Sequence, residues 1–176
     1  MIGYSGESEP GEAPKLFTLR EVMGPRSALV SWDPVRKESL NGEFKGYKIQ
    51  TWTTDEKKYR EIIMVPDTTQ ALVTSFKPYS KNHARILAFN GAYEGPPSNT
   101  ITIVTPEGQP GPIDMLECFP MGSSALLLQW KAPAEANGVL TGYRIYYSKV
   151  GTKTFSVGFS ERFVAYKIYL WKIISY

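Results

Sequence analysis

The chain has one cysteine and one histidine, and their scarcity excludes several kinds of chemistry. Cys118 alone can form neither an intrachain disulfide nor a cysteine-based zinc site, so we expect it to be a small buried apolar side chain. His83 is the only candidate for a Ser-His-acid relay or a histidine-rich metal site, and its neighbours Asn82 and Ala84 supply no acid. No glycine-rich phosphate loop joins a strand to a helix. We therefore expect no catalytic residues, no cofactor and no small-molecule substrate.

Long apolar runs and a strong charge of one sign are also missing. No stretch of about 18 uncharged apolar residues occurs, and Met1 is not followed by a basic segment and an apolar run. As written, the chain is expected neither to enter the secretory route nor to span a bilayer. Twenty Lys and Arg against 17 Asp and Glu give a net charge of +3, which is too small to indicate a nucleic-acid partner. With 42% hydrophobic and 21% charged residues, the composition is that of a folded globular chain.

What the chain does contain is an internal repeat. Three patterns occur twice in the same order: Met-Gly before Ser-Ala-Leu (23–29 and 121–126), a tryptophan (Trp32 and Trp130), and Asn-Gly-x-x-x-Gly-Tyr-x-Ile (41–49 and 137–145). The tryptophans are 98 residues apart and the Asn-Gly patterns 96, a drift that loop insertions produce. A period near 100 residues is too long for a solenoid repeat and fits one small β-sandwich.

Within each copy, apolar and polar residues alternate as they do in half-buried strands. Val30 and Trp32 flank Ser31, and Tyr47 and Ile49 flank Lys48. Seven strands are predicted in the first copy, near 16–22, 28–32, 47–50, 59–65, 71–76, 84–89 and 101–105. Helical spacing is nowhere sustained over three turns, and short turns between strands favour antiparallel pairing in two layers.

These patterns divide the chain into five segments. They are a polar connector from a missing upstream domain (1–12), a complete sandwich (13–106), a Pro- and Gly-rich hinge (107–112), the N-terminal part of a second sandwich (113–153) and a divergent apolar tail (154–176). The inward face of the second unit is predicted to carry Leu116, Cys118, Leu126, Leu128, Trp130, Tyr143, Ile145 and Tyr147. An incomplete sandwich would leave one sheet face and a strand edge uncovered.

The tail contains Lys167 and Lys172 and is too short for a membrane span. An amphipathic helix and an improvised strand are alternatives for it. We favour a third explanation, in which a truncated gene model or a retained intron produced a segment that was never selected for folding.

Both copies resemble fibronectin type III domains, through the tryptophan of the second strand, the Gly-Tyr-x-Ile of the third and the turn Phe76-x-Pro78-x-Ser80 before the sixth. The resemblance implies an all-β fold, a seven-stranded fibronectin type III sandwich followed by an incomplete second one. It also implies a structural core of Trp32, Tyr47, Ile49, Phe76, Trp130, Tyr143 and Ile145. Where the family usually has a corner tyrosine, this chain has Asn82, so an amide or a water must satisfy the backbone there.

More narrowly, the segments 3–7, 46–52 and 105–108 resemble neural cell-adhesion receptors built of immunoglobulin and fibronectin type III domains. The likeness covers about residues 3–150 and corresponds to the third and part of the fourth fibronectin domain. It implies a non-catalytic extracellular spacer module that serves cell-cell adhesion, axon growth and guidance at the plasma membrane.

The implied partners are the neighbouring domains of the parent receptor and, as a second candidate, the same receptor on another cell. Membrane attachment would come only through parts of the parent chain that are missing here. The alternative is a unit of an intracellular, muscle-type array, which the single cysteine also allows.

Loops at the ends of a sandwich are its variable surfaces. The hairpin residues Asn90, Gly91, Tyr93 and Glu94 are therefore the candidate contact loop. An exposed tyrosine provides contact area at low entropic cost, although Tyr93 could instead lie on its own domain.

Overall fold

The computed structural model describes residues 6–55, 61–123, 125–147, 156–160 and 165–169, with 61–64, 156–160 and 165–169 described by their backbone alone. The chain divides into two compact units, Met1–Gly108 and Gln109–Tyr176. Each described unit consists of antiparallel strands, and a short 3-10 turn at Lys37–Ser39 is the one helical element among the described residues.

The first unit contains the seven strands that the sequence predicts. They are β1 (Lys15–Val22), β2 (Ala28–Asp33), β3 (Phe44–Thr53), β4 (Glu61–Val65), β5 (Gln70–Val73), β6 (Lys81–Asn90) and β7 (Ile101–Val104). They form two sheets, ordered β1-β2-β5 and β4-β3-β6-β7, in which all neighbours are antiparallel. The all-β fibronectin-type prediction is confirmed.

Some strand limits differ from those predicted. The fifth strand ends at Val73, because Phe76 leaves the sheet and its backbone N–H donates to Arg26 O at 3.1 Å. The sixth begins at Lys81, three residues earlier than predicted. Residues 59 and 60, the predicted start of the fourth strand, lie outside the described residues.

The inner faces of the two sheets enclose the core. Trp32, Tyr47, Ile49 and Phe76 are buried in one cluster, and the Trp32 and Tyr47 rings meet edge to face at 5.3 Å. The Tyr47 hydroxyl accepts a hydrogen bond from Val35 N at 3.3 Å. Burial of this hydroxyl raises the pKa of Tyr47 above its ordinary value.

Asn82 supplies the amide that the sequence requires at the corner before β6. Its side chain is buried, and Oδ1 accepts from Lys77 N at 2.9 Å. Its Nδ2 donates to Lys77 O at 3.0 Å, to Ser80 O at 3.2 Å and to Thr105 Oγ1 at 3.3 Å. The amide thus ties the turn after β5 to the chain that leaves β7.

The second unit repeats the arrangement of the first five strands. Its strands are β8 (Asp114–Pro120), β9 (Ala125–Lys131), β10 (Tyr143–Tyr147), β11 (Ser156–Ser160) and β12 (Ala165–Tyr169). The order β12-β9-β8 matches β5-β2-β1, and the pair β10-β11 matches β3-β4. Trp130 is buried and its ring lies 5.2 Å from that of Tyr143, while Tyr143 and Ile145 are half-buried. The segment expected to diverge, 154–176, contributes the strands β11 and β12, and its remaining residues lie outside the description.

The burial predicted for Leu116 and Cys118 on β8 is wrong. Leu116 is 61% exposed and Cys118 is exposed as well. By strand register Leu116 is the counterpart of Phe17, which is 2% exposed and packs on Trp32. The physical reason is that the described part of the second unit has no counterparts of β6 and β7, so no opposing strands cover this face of β8.

Candidate contact site at the end of the first sandwich

The chain before β1 lies along one end of the first sandwich. We call residues 7–12 the strap. Ser8 N donates to Asn41 O at 3.0 Å, and Gly11 N donates to Ser39 O at 2.7 Å. The described part of the predicted connector is therefore hydrogen-bonded to the domain that it precedes.

Asn41 pins the strap through its side chain. Its Nδ2 donates to Glu9 O at 2.8 Å. The backbone of Asn41 has a φ of 51°, in the left-handed region that asparagine tolerates better than most residues. The Asn-Gly dipeptide of the β2–β3 loop thus combines a turn conformation with a donor for the strap.

The carboxylate of Glu7 occupies a notch between two glycines. Glu43 N donates to Glu7 Oε1 at 3.0 Å. A Cβ atom on Gly91 would lie 2.7 Å from Glu7 Oε2, and one on Gly42 would lie 3.0 Å from Glu7 Cγ. The absence of side chains at both glycines is therefore what makes room for this carboxylate.

Packing and an ion pair hold the strap as well. Pro10 and Pro14 are fully buried, and a Cβ on Gly95 would lie 2.8 Å from Pro10 Cβ. Arg36 Nε donates to Glu12 Oε2 at 3.1 Å. The hydrogen bond and charge of Arg36 lower the pKa of Glu12 below its ordinary value.

Asn90 joins the strap to the candidate contact loop. Its side chain is only 3% exposed, and Nδ2 donates to Ser8 O at 2.7 Å and to Leu40 O at 3.1 Å. Its Oδ1 accepts from Ala92 N at 3.1 Å and from Tyr93 N at 2.8 Å. Asn90 thus shapes the hairpin from inside and is not positioned to contact a partner.

The other three loop residues lie at the surface. Tyr93 is 46% exposed. Gly91 is exposed and borders the Glu7 notch. Glu94 Oε1 accepts from Lys48 Nζ at 2.6 Å, and the same ammonium lies 4.7 Å from the centre of the Phe89 ring. Among the predicted residues, Tyr93 is the one that presents a large side chain outward.

Sequence reasoning missed an aromatic and cationic ladder on the outer face of the four-stranded sheet. The His83 ring lies 5.7 Å from Trp52, and the Arg85 guanidinium lies 5.8 Å from the same indole. The His83 nitrogens contact Thr54 Oγ1 at 3.1 Å and Thr102 Oγ1 at 3.2 Å. The β3–β6 register, which pairs Trp52 with His83, is the signal that would have found the ladder.

Within the described ranges, no group of three or more His, Cys, Asp or Glu side chains could hold a metal ion.

A second strap occurs at the start of the second unit. Asn137 Nδ2 donates to Gln109 O at 2.8 Å, and Gly111 N donates to Glu135 O at 2.8 Å. Asn137 also has a left-handed backbone, with a φ of 53°. These bonds repeat those of Asn41 and Gly11 in the first unit, so the end of the predicted hinge is held on the second unit. The recurrence of Glu-Pro-Gly (9–11) as Gln-Pro-Gly (109–111) is the sequence signal that identifies both straps.

At its opposite end, the first sandwich holds the chain that leaves it. Tyr79 N donates to Pro106 O at 2.9 Å. A Cβ atom on Gly108 would lie 3.1 Å from Pro78 Cβ and 3.2 Å from Pro25 Cβ. The chain is thus held where it enters the domain and where it leaves it.

Comparison with known proteins shows which family the first sandwich belongs to. Residues 12–104 match the family described as Fibronectin type III domain. The chain is 54% identical to Neuroglian of Drosophila melanogaster over 152 residues, which is 85% of this chain and 12% of that protein. It is 36% identical to human Neural cell adhesion molecule L1 over 154 residues, or 83% of this chain and 12% of that protein. The chain therefore spans only a small part of the length of these relatives. The identities confirm the predicted resemblance to neural adhesion receptors.

A solved structure shows the same architecture. The solution structure of the third fibronectin III domain of human KIAA0343 protein superposes with a TM-score of 0.53 and 31% identity, covering 64% of this chain and 94% of that domain. No helix in the described part of the chain is long and apolar enough to cross a membrane. The chain belongs to the fibronectin type III family.

Proposed function

We propose that this chain is a non-catalytic spacer module on the extracellular side of a neural cell-adhesion receptor, where it sets the distance and direction between neighbouring domains. In this role it serves cell-cell adhesion, axon growth and guidance. The similarity to Neuroglian and to L1 supports the receptor context. The observation that carries the proposal is that the first sandwich is hydrogen-bonded to its own entering and leaving segments.

A spacer transmits direction only if the chain cannot swivel freely where it meets the domain. Free Gly- and Ser-rich linkers behave as random coils, whereas segments fixed by proline and hydrogen bonds do not. Here Pro106 O is bonded to the first unit and Gln109 O to the second, so only Glu107 and Gly108 lie between these two bonds along the chain. The chain on each side of this two-residue segment is therefore held by hydrogen bonds within its own unit.

The partners we propose are the adjacent immunoglobulin and fibronectin type III domains of the parent receptor, with the same receptor on another cell as the second candidate. Tyr93 is the side chain best placed to meet an adjacent domain, because it stands on the hairpin beside the strap. Replacing Tyr93 by alanine in the receptor should weaken that contact. Tyr79→Ala is the matched control, since Tyr79 is 55% exposed but bonds through its backbone at the other end. Equal effects of the two variants would contradict a contact at Tyr93.

The spacer role is tested by replacement within the full receptor. Residues 6–108 would be exchanged either for an unrelated fibronectin type III domain or for a Gly-Ser chain of the same number of residues. Cell clustering should survive the domain exchange and fall with the flexible chain. If the Gly-Ser chain supports clustering as well as the native segment, then position and direction are not what this module provides.

A second experiment separates spacing from adhesion. Beads coated with the purified 176-residue chain should not aggregate, because the proposed role is to place adhesive domains and not to adhere. Specific aggregation of such beads would overturn this assignment.

A further inference from the structure

We infer that each strap is a latch that opens as a unit, separately from its sandwich, and that its opening lengthens the link between consecutive domains. The use of this opening under tension rests on the proposed spacer function. The opening itself is a property of the chain and can be measured without the receptor.

The bonding of the first strap indicates that it can open alone. Residues 7–12 belong to no strand, and their hydrogen bonds go to the β2–β3 loop and to Asn90. Ser8, Glu9 and Gly11 are exposed, and Pro10 is the one fully buried residue of the strap. Regions with few buried apolar contacts and exposed backbone hydrogen bonds open at a lower free energy than core strands do.

The Glu7 carboxylate is the group that fastens the strap to the neighbouring loops, and we call it the catch. It reaches past Gly42 and Gly91 to the backbone N–H of Glu43, so it links the strap to both neighbouring loops. The three atoms nearest to a Cβ on Gly91 would all belong to the Glu7 carboxyl group, at 2.7, 3.1 and 3.3 Å, so alanine there should expel the carboxylate and leave the hairpin intact.

The asparagine pin recurs in both units with the same chemistry. Asn41 and Asn137 have φ values of 51° and 53°, and each donates from Nδ2 to a strap carbonyl at 2.8 Å. Two copies of one device, at equivalent places in two diverged domains, indicate that the strap is part of how successive units are joined.

Opening a strap would add a measurable length. A fully extended residue spans at most about 3.3–3.6 Å, so releasing a six-residue strap adds up to about 2 nm of chain.

The first test is amide hydrogen exchange of the full chain with a double-mutant cycle at Glu7 and Gly91. The amides of Ser8 and Gly11 should exchange together, at least about tenfold faster than that of Ile49 in β3, as expected of a separate opening unit. Glu7→Ala should speed the exchange of both strap amides about fivefold, the equivalent of one lost hydrogen bond.

The Gly91→Ala variant provides the decisive comparison of the double-mutant cycle. It should speed strap exchange in the wild-type background but not in the Glu7→Ala background, because the atom that the new methyl group would strike is then gone. Equal effects of Gly91→Ala in both backgrounds would refute the catch. Exchange of the strap amides only together with Ile49 would refute independent opening.

The two straps provide controls for each other. Glycine accepts the left-handed backbone of Asn41 and Asn137, so Asn41→Gly and Asn137→Gly delete the pin without straining the turn. Asn41→Gly should speed exchange at Gly11 and not at Gly111, and Asn137→Gly should do the reverse. A variant that affects both glycines, or neither, contradicts two independent latches.

Force spectroscopy tests the added length. With handles on Gly6→Cys and Val104→Cys in a Cys118→Ser background, the first unit should show a reversible early extension of up to about 2 nm before it unfolds. Glu7→Ala should move this step to lower force. A trace with the unfolding event alone would overturn the latch, whereas failure of the spacer function would appear separately, as full clustering by receptors that carry the Gly-Ser replacement.

Discussion

Replacing Asn82 by alanine removes the side chain that closes the corner between the turn after β5 and the end of β7. Asn82 is 2% exposed and makes one hydrogen bond as acceptor and three as donor. Alanine would keep the strand and delete all four bonds.

The magnitude follows from what each partner retains. Thr105 Oγ1 still donates to Lys77 O, at 2.6 Å, and Thr105 N still donates to Ser80 O, at 3.1 Å. Lys77 N is the group that loses the partner Asn82 provides. An unsatisfied donor costs about 1–3 kcal/mol and each lost neutral bond about 0.5–1.5 kcal/mol, with the retained bonds reducing the total, so we expect a loss of about 2–4 kcal/mol in the free energy of unfolding.

The assay is urea unfolding of the full chain, followed by the methyl NMR signals of Ile49 and Ile86, which report on the first core. Asn99→Ala is the matched control, because the Asn99 side chain donates from Nδ2 to Phe17 O at 2.9 Å, and the loss of this bond should cost about 1 kcal/mol. If Asn82→Ala is no more destabilising than Asn99→Ala, the amide does not replace the corner tyrosine of the family.

Four further predictions concern the same chain. Trp32→Ala should cost about 3–5 kcal/mol in chemical unfolding, as a large truncation of a buried core, and a cost below 1 kcal/mol would contradict the packing. Gly46→Ala should cost more than about 2 kcal/mol, since φ is +130° and the new Cβ would lie 2.3 Å from a backbone oxygen; Gly122→Ala, with φ +76° and open space, should cost less. Because burial raises the pKa of Tyr47, the folded state keeps a proton that the unfolded chain loses, so unfolding free energy should fall above about pH 10, less steeply in Tyr47→Phe. Limited proteolysis should remove residues 150–176 before the first sandwich is cut, and a resistant C-terminal half would contradict this order.

The fold was predictable from sequence where a residue's environment depends on its own strand. Alternation of apolar and polar residues located the strands of the first unit, and the Gly-Tyr-x-Ile pattern located Tyr47, which packs on Trp32. The need for an amide at Asn82 followed from a single substituted landmark.

The straps were harder to predict, because their residues are individually unremarkable in composition. In the sequence, Glu7, Ser8 and Glu9 form a polar connector. The recurrence of Glu-Pro-Gly as Gln-Pro-Gly marks the two straps as equivalent, but the bonds to Asn41, Glu43 and Asn90 are visible only in the structure. Backbone-to-backbone bonds such as Gly11 N to Ser39 O leave no mark in side-chain patterns. The candidate contact loop is predicted from its position between strands. That position does not show that the Asn90 side chain is fully occupied by hydrogen bonds within its own domain.

The comparison of Phe17 with Leu116 shows why an inward-facing pattern is not the same as a buried one. Both residues occupy the same register in a first strand beside a tryptophan-bearing second strand, yet one is 2% and the other 61% exposed. Hydrophobic stabilisation is proportional to the apolar area removed from water, and that area is removed by the opposing sheet and not by the strand itself. Leu116 therefore contributes little until strands equivalent to β6 and β7 cover it. Strands that cover this face of β8 should bury Leu116 and Cys118 together, and protection of the Cys118 thiol from a labelling reagent would report that closure directly.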